Sequence, residues 1–312
     1  MRHHRTENDS WDITSGVGAT ALGMAAARAH ETARAQPLFS DPYARIFLDE
    51  AVRAGWDPPP SATPQQLSGG SDPQFEARKC ALMSYAACRT AYFDQFVMQA
   101  NADEVRQVVV LGAGLDSRPW RLSWIPGTVV YEIDQPQVLE FKISTLWTHN
   151  VGPACEYRPV SVDLRFDWPT ALRDMGFDQT EPSAWSAEGL LSYLPSAARR
   201  SLFDRIQTCS APGSRLAVET ASTKVLDPPS IRRRRTMRAA QDADSAAGRS
   251  NLQEIRTLWF PDDGDNFADW LTHKGWQVNS VEANDLMARY GRAPAAGTEH
   301  AVPHSAFVEG IR

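Results

Sequence analysis

The sequence VVVLGAGLDSR, residues 108–118, decides the fold class of this 312-residue chain. Its first part is a continuous run of β-branched and aliphatic residues, which is typical of a strand buried on both faces of a parallel sheet. A glycine-rich turn follows at once, and Gly112 and Gly114 allow the backbone to turn tightly there. In open α/β sheets, ligands bind at the loops that follow the strands. The segment therefore predicts a Rossmann-like α/β core with a ligand site after this strand.

Short β-type runs and helical patterns alternate from this segment to the carboxyl terminus. Such alternation indicates βαβ units with right-handed crossovers, and hence a mostly parallel sheet. We predict helices from Ser196 to Cys209 and from Asp265 to Lys274, and another opened by Pro136. With residues 107–111, the further predicted strands at 127–134, 155–163, 183–188, 214–219, 276–281 and 305–308 make a seven-stranded sheet.

The residues before this region predict a helical N-terminal extension. Helix-forming residues run from Thr20 to Arg34 and from Pro73 to Ala100, and Asp41 precedes Pro42 as the N-cap of a short helix. Proline, glycine and serine between positions 57 and 71 predict a lid loop. We therefore expect a helical extension and lid at residues 1–104. The core at 105–312 carries a helical cap insertion at about 220–260.

Composition excludes several classes of protein. The formal net charge of −6 argues against a non-specific nucleic-acid binder. No apolar run approaches the roughly 20 residues that a membrane span needs, and the Ala-rich stretch at 18–27 predicts a packed helix rather than a signal peptide. Four scattered cysteines without a CxxC pair indicate a reducing compartment and no metal site. We expect a cytoplasmic protein, and its oligomeric state stays open.

The glycine-rich turn and the acid that ends the next strand predict a nucleoside-type ligand. Asp134 lies about 20 residues after Gly114, where a carboxylate accepts hydrogen bonds from ribose hydroxyls. A dinucleotide and S-adenosylmethionine would both use this pair. The third small residue of the dinucleotide fingerprint is missing, and Asp116 would repel a pyrophosphate. The same carboxylate suits a cationic ammonium and sulfonium, so the pattern favours S-adenosylmethionine.

Two further strand ends carry acids. Asp163 and Leu164 follow the third strand, where the carboxylate can accept from an adenine amino group and the leucine can pack on the purine. Glu188 and Gly189 follow the fourth strand. Because parallel strands end at the same edge of a sheet, we expect these acids to lie along one edge, with Glu188 and Gly189 where the sulfonium and the acceptor would meet.

Together these motifs resemble a known family. The runs VVLGAGLDSRPWRL, VYEIDQPQVLEFK, VDLRFDWP and WSAEGLLSYLP, with GVGATA, DPYAR and RTAYFD upstream, are similar to actinobacterial S-adenosylmethionine-dependent methyltransferases related to leucine carboxyl methyltransferase. The resemblance implies that Asp134 contacts the ribose, that Asp163 and Leu164 contact the adenine, and that Arg89 pairs with the methionine carboxylate. A guanidinium suits such a bidentate contact, although a surface ion pair is the alternative.

The acceptor and the catalytic group are not predicted. A carboxylate acceptor is already ionised and needs no general base, whereas a phenol or alcohol would need one. No histidine falls inside a motif, so we assign no base. Tyr193 either lines the acceptor pocket or packs against the following helix. The run Arg232–Arg235 is either a solvated helix face or an attraction for an acidic substrate. We expect O-methylation of a small molecule or a carboxylate. A nicotinamide-dependent oxidoreductase and a non-catalytic cofactor-binding regulatory protein are the alternatives.

Overall fold

The computed structural model describes residue 13 and residues 16–57, 73–222 and 266–312. Most of the predicted lid at 57–71, most of the cap insertion at 220–260 and the run Arg232–Arg235 lie outside these residues. The helices are α1 Gly16–Thr32, α2 Pro42–Arg53, α3 Pro73–Ala102, α4 Arg118–Arg121, α5 Pro136–Thr148, α6 Trp168–Asp174, α7 Ser196–Cys209, α8 Phe267–His273 and α9 Ala283–Arg289. The strands are β1 Gln107–Leu111, β2 Val129–Asp134, β3 Glu156–Ser161, β4 Ser183–Ala187, β5 Arg215–Ala221, β6 Gln277–Glu282 and β7 Ser305–Ile311.

The seven strands form one sheet in the order β3-β2-β1-β4-β5-β7-β6. β7 runs antiparallel to both of its neighbours, and the other pairs, from β3 to β5, are parallel. The order reverses between β1 and β4, which is the switch point where open α/β sheets bind ligands. The predicted Rossmann-like, mostly parallel seven-stranded sheet is therefore confirmed.

The central strand is built as its sequence predicts. From Val108 to Leu111 every residue of β1 is buried, because helices cover both faces of the sheet. One face carries an apolar cluster centred on Trp168 of α6 and Trp185 of β4. The other face packs against α3, through residues such as Phe93.

A third apolar cluster joins the N-terminal helices to the sheet edge. It contains Leu22 of α1, Phe47 of α2, and Leu115 and Trp120 from the region after β1. The N-terminal helices are therefore packed against the segment that the sequence marks as the ligand loop.

None of the helices in the described part of the chain has the length and apolar character of a membrane span.

Candidate functional site

The glycine-rich loop joins the ends of β1 and β2. Gly112 and Gly114 both adopt positive φ, at +65° and +49°, a region that side chains with a Cβ rarely occupy. The Gly112 amide donates to the Ile133 carbonyl at 2.9 Å, and the Gly114 amide donates to Asp134 Oδ2 at 2.6 Å. A Cβ on Gly112 would lie 3.0 Å from Leu190, so the glycine also allows close packing. The amides of the turn are therefore bound to the end of β2, through the Ile133 carbonyl and the Asp134 carboxylate.

Asp134 lies where the sequence predicts a ribose-binding acid. Its Oδ1 accepts from the Gln135 amide at 2.7 Å, so each carboxylate oxygen is held by one backbone N–H. Burial raises the pKa of Asp134, and the two amide hydrogen bonds oppose that rise. Because a carboxylate oxygen has two lone pairs, Asp134 retains acceptor capacity for hydroxyl donors.

Asp163 lies close to Asp134 but is held by an arginine. Arg165 contacts both carboxylate oxygens of Asp163, with Nη2 2.7 Å from Oδ2, and Gln135 Nε2 donates to Oδ2 at 3.1 Å. Leu164 is half-buried and packs against the core around Trp168. The structure thus brings the predicted ribose and adenine residues together, and it adds Arg165 and Gln135, which the sequence did not single out.

Asp116 is not the isolated carboxylate that the sequence suggested. Arg118 Nη1 lies 2.5 Å from its Oδ2, and the Arg118 amide donates to Oδ1 at 2.7 Å. Burial works to raise the pKa of Asp116, but Arg118 and Lys142 outweigh burial and bring the pKa to about 2. Asp116 is therefore ionised, with its charge balanced locally. The repulsion expected between Asp116 and a pyrophosphate is correspondingly weaker.

Arg118 is a further residue that the sequence did not single out, and it makes the most ionic contacts in the site. It is only 4% exposed, and its guanidinium contacts Asp94 at 2.7 Å, Asp116, and Glu188 Oε2 at 2.9 Å. One side chain thus connects α3, the glycine-rich loop and the end of β4. Arg121 also binds Asp94, at 2.6 Å. The motifs RTAYFD and LDSR contained both partners, but only the fold places Asp94 beside Arg118.

Arg89 and Glu188 form a partly buried pair rather than the surface pair considered above. Arg89 Nε donates to Glu188 Oε1 at 2.9 Å, and Nη1 donates to Glu219 Oε2 at 3.1 Å. The amide of Gly189 also donates to Glu219, at 2.9 Å. Burial by itself would raise the pKa of Glu188. The charges of Arg118 and Arg89 lower the pKa by more than burial raises it, so the net shift is downward. Arg89, predicted to hold a carboxylate, therefore holds two carboxylates of the chain itself.

Glu219, at the end of β5, has further donors. The Tyr85 hydroxyl donates to Glu219, and its oxygen lies 3.0 Å from Ser305 Oγ. Burial and the Glu219 charge raise the pKa of Tyr85 well above its usual value, so it remains a phenol and a donor. Tyr193, predicted near the acceptor, is half-buried in the turn Leu191–Tyr193 after Gly189.

The site fits a cationic ligand at the carboxyl edge of the sheet. Carboxylates outnumber the arginines with which they form ion pairs there. Three arginines pair with four acids: Arg89, Arg118 and Arg121 with Asp94, Asp116, Glu188 and Glu219. The excess acid suits the ammonium and sulfonium of S-adenosylmethionine, and Asp134 beside two positive-φ glycines suits its ribose. In the part of the chain that the structure describes, no cluster of three or more metal-ligating side chains is found.

The open groove between α6 and α7 is a separate feature. It has a volume of about 560 Å³ and is lined by Arg173, Arg200 and Arg205 among others. None of the predicted site residues lines it, so the candidate site is the sheet edge and not this groove.

Known proteins are similar to this chain over most of its length. The sequence profile of the leucine carboxyl methyltransferase family matches residues 21–207. A protein from Mycolicibacterium paratuberculosis is 49% identical over 99% of this chain and 97% of its own, and one from Mycobacterium marinum is 47% identical over 99% of each. Both are named as S-adenosyl-L-methionine-dependent methyltransferases.

Solved structures give a weaker similarity. A DUF574-family protein from Streptomyces avermitilis has a TM-score of 0.49 and 15% identity, covering 92% of this chain and 96% of its own. The strand order of the sheet therefore carries the fold assignment. The profile match and the full-length relatives together show that this chain belongs to the leucine carboxyl methyltransferase family of S-adenosyl-L-methionine-dependent methyltransferases.

Proposed function

We propose that the chain methylates an oxygen atom of a small molecule, and that this oxygen belongs to a carboxylate. Because the chain belongs to a methyltransferase family, a nicotinamide-dependent oxidoreductase and a non-catalytic cofactor-binding protein are no longer alternatives. Family membership does not identify the methyl acceptor. S-adenosylmethionine supplies an electrophilic methyl group and leaves as a neutral thioether. The protein then has to bind and align both partners and to exclude water.

The donor side of this proposal rests on the edge formed by β1, β2, β3 and β4. Asp134 would hold the ribose, Asp163 and Leu164 the adenine, and Gly112 and Gly114 the close approach of the backbone. Glu188 and Asp116 would supply negative charge opposite the ammonium and sulfonium. Arg89 would bind the methionine carboxylate, and to do so it would have to share its guanidinium with Glu188 or Glu219.

The carboxylate acceptor rests on the saturation of the acids near β4 and β5. Asp116, Glu188 and Glu219 each accept from an arginine, and Glu219 also accepts from Tyr85 and the Gly189 amide. The arginines hold the pKa of Asp116 and of Glu188 below the usual value against the effect of burial, so these two carboxylates are weak proton acceptors. A carboxylate acceptor arrives already ionised and needs no base. The saturation of these acids by hydrogen-bond donors is the single observation that carries the choice of acceptor.

We also propose that the protein works in the cytoplasm. The four cysteines Cys80, Cys88, Cys155 and Cys209 are all free thiols, which suits a reducing compartment.

The donor site is tested by calorimetric titration with S-adenosylmethionine. Asp134→Ala is expected to abolish the binding signal, because it removes the acid between the glycine-rich loop and β2. Asp204→Ala, at an exposed position of α7, is the control and should bind as the wild type does. Equal binding by wild type and Asp134→Ala would place the donor elsewhere.

The acceptor class is tested with a donor whose methyl group is radiolabelled. Pools of carboxylic acids, phenols and alcohols are incubated separately with the enzyme and with Asp134→Ala. A methyl ester releases volatile labelled methanol on mild alkaline treatment, whereas a methyl ether does not. Label that is volatile after base and absent with the variant would support the carboxylate. Base-stable label from the phenol or alcohol pool would refute it.

A further inference from the structure

The glycine-rich loop is held from outside the sheet by the first two helices. Arg28 of α1 donates from Nη2 to the Leu115 carbonyl at 2.6 Å, and the Ser117 hydroxyl donates to Asp41 Oδ2 at 2.7 Å. Arg28 and Asp41 also bind each other, with Nε 2.7 Å from Oδ2. Two residues of the N-terminal extension therefore contact the loop on both sides of Asp116.

The Asp41 carboxylate both caps α2 and binds the residues that hold the glycine-rich loop. Its Oδ1 accepts from the amides of Tyr43 and Ala44, both at 3.1 Å, and so caps α2. Its Oδ2 accepts from Arg28 and Ser117. The side chain is fully buried, which works to raise its pKa, but Arg28 and Arg121 more than compensate and the pKa is lowered. The charged form is therefore the one that the fold stabilises.

Close packing accompanies these bonds. A Cβ on Gly114 would lie 3.2 Å from the Cβ of Ala21, so α1 rests directly on the loop. Leu22 and Phe47 pack in one apolar cluster with Leu115. Since packed interiors have low compressibility, a shift of α1 or α2 is transmitted to the loop.

We propose that Arg28 and Asp41 are positioning residues for the methyl donor. They hold residues 114–117 in the conformation in which the Gly114 amide binds Asp134 and Asp116 binds Arg118. Neither residue lies at a strand end, and they act through the loop. The proposal rests on the donor site proposed above.

Asp41→Asn separates the two tasks of this side chain. An asparagine is as good an N-cap as aspartate, but its single oxygen cannot also accept from Arg28 and Ser117. We expect S-adenosylmethionine to bind about tenfold more weakly, the order of magnitude for losing charge-assisted hydrogen bonds. Amide hydrogen exchange should accelerate at residues 114–118 and remain slow in α2. Arg28→Lys, which can reach Asp41 or the Leu115 carbonyl but not both, should fall between.

Ala51→Gly is the matched control for simple destabilisation. Ala51 is a fully buried residue of the same helix and lies in the same apolar cluster as Leu115, but its methyl side chain makes no hydrogen bond to the loop. Glycine weakens a helix interior. Its melting temperature should fall while its donor affinity stays at the wild-type value. If Ala51→Gly and Asp41→Asn both lose donor affinity in the same proportion to their fall in melting temperature, the positioning role is refuted.

Two other outcomes also decide the matter. Wild-type affinity in both Asp41→Asn and Arg28→Lys would show that these bonds position nothing. Failure of the donor site itself would look different, because wild type, Asp41→Asn and Asp134→Ala would all bind S-adenosylmethionine with the same affinity. The positioning role of Arg28 and Asp41 would then be refuted with it.

Discussion

At the scale of single residues, this site depends on buried charges that satisfy one another. Arg118 binds three acids and Arg89 binds two, within a region that excludes most water. Buried ion pairs add little net stability, because desolvation offsets their attraction. Their effect here is geometric, since each guanidinium fixes the positions of carboxylates that arrive from different strands.

A substitution at Gly189 tests whether the position of the Arg89 guanidinium matters for donor binding. It adopts a φ of +62°, and a Cβ there would lie 3.1 Å from Arg89 Nη1. Gly189→Ala should therefore displace Arg89 and weaken donor binding, measured by calorimetry. It should also cost about 1–2 kcal/mol of unfolding free energy from backbone strain. Gly176→Ala is the control, because Gly176 also has a positive φ, of +93°, but no atom within 4 Å of the added Cβ. Similar donor affinities in the two variants would contradict the displacement of Arg89.

At the scale of elements, the loops that carry the acids depend on how helices dock against the sheet. α6 begins soon after Asp163 and Leu164, and Asp167 caps it. Trp168 then packs edge-on against Trp185 of β4, with ring centroids 6.0 Å apart. The loop that carries Asp163 and Leu164, which we propose to bind the adenine, is thus anchored at its end by an aromatic pair.

Removing this anchor should be costly. Trp168 is fully buried, so Trp168→Ala leaves a cavity and should lower the unfolding free energy by about 3–5 kcal/mol. Urea denaturation measures the change. Trp147→Ala makes the same substitution on α5 at a side chain that is 81% exposed, and should change stability by less than about 0.5 kcal/mol. Equal losses would show that α6 is not held by Trp168.

The division of the chain into elements also bears on the N-terminal extension. We propose residues 1–104 as an extension with a lid and 105–312 as the core, but α1 and α2 contact the glycine-rich loop through Arg28 and Asp41. The extension is therefore expected to be needed for donor binding and not only for covering the acceptor.

At the scale of the whole molecule, one buried pair makes stability depend on pH. Glu132 of β2 and Lys142 of α5 are fully buried and in contact, and the Tyr157 hydroxyl donates to Glu132 at 2.6 Å. Glu132 Oε1 has no hydrogen-bond partner. Burial raises the pKa of Glu132 to about 7, and Lys142 only partly opposes that rise.

The sign of the pH effect follows from this shift. A raised pKa means that the folded state holds a proton that the unfolded state has lost, so stability falls as pH rises from about 4.5 to about 7. The unfolding free energy should drop across this window by on the order of 1–3 kcal/mol. Glu132→Gln cannot ionise, and urea denaturation at each pH should show a smaller drop. If Glu132→Gln does not fold, the double variant with Lys142→Met serves instead. An unchanged slope would show that Glu132 does not titrate there.

The sequence by itself determined the sheet and the ends of its strands. The buried run of β1, the glycines after it and the acids at Asp134, Asp163 and Glu188 are local signals, because strand burial and tight turns act on neighbouring residues. All seven strands and the helices α1, α3, α7 and α8 lie within a few residues of their predicted bounds.

Only the tertiary structure decided which charges meet. Arg118 binds Asp94 and Glu188, which lie far away in sequence and on different elements, and no spacing rule links such residues. The same holds for Arg89 with Glu219, and for Arg28 and Asp41 with the loop. Ion pairs depend on distance in space and on burial, both of which are set when helices pack on the sheet. For that reason the sequence pointed to Asp116, Glu188 and Arg89 as candidate site residues. The fold added Arg118, Asp94 and Glu219, and it decided which of these charges pair.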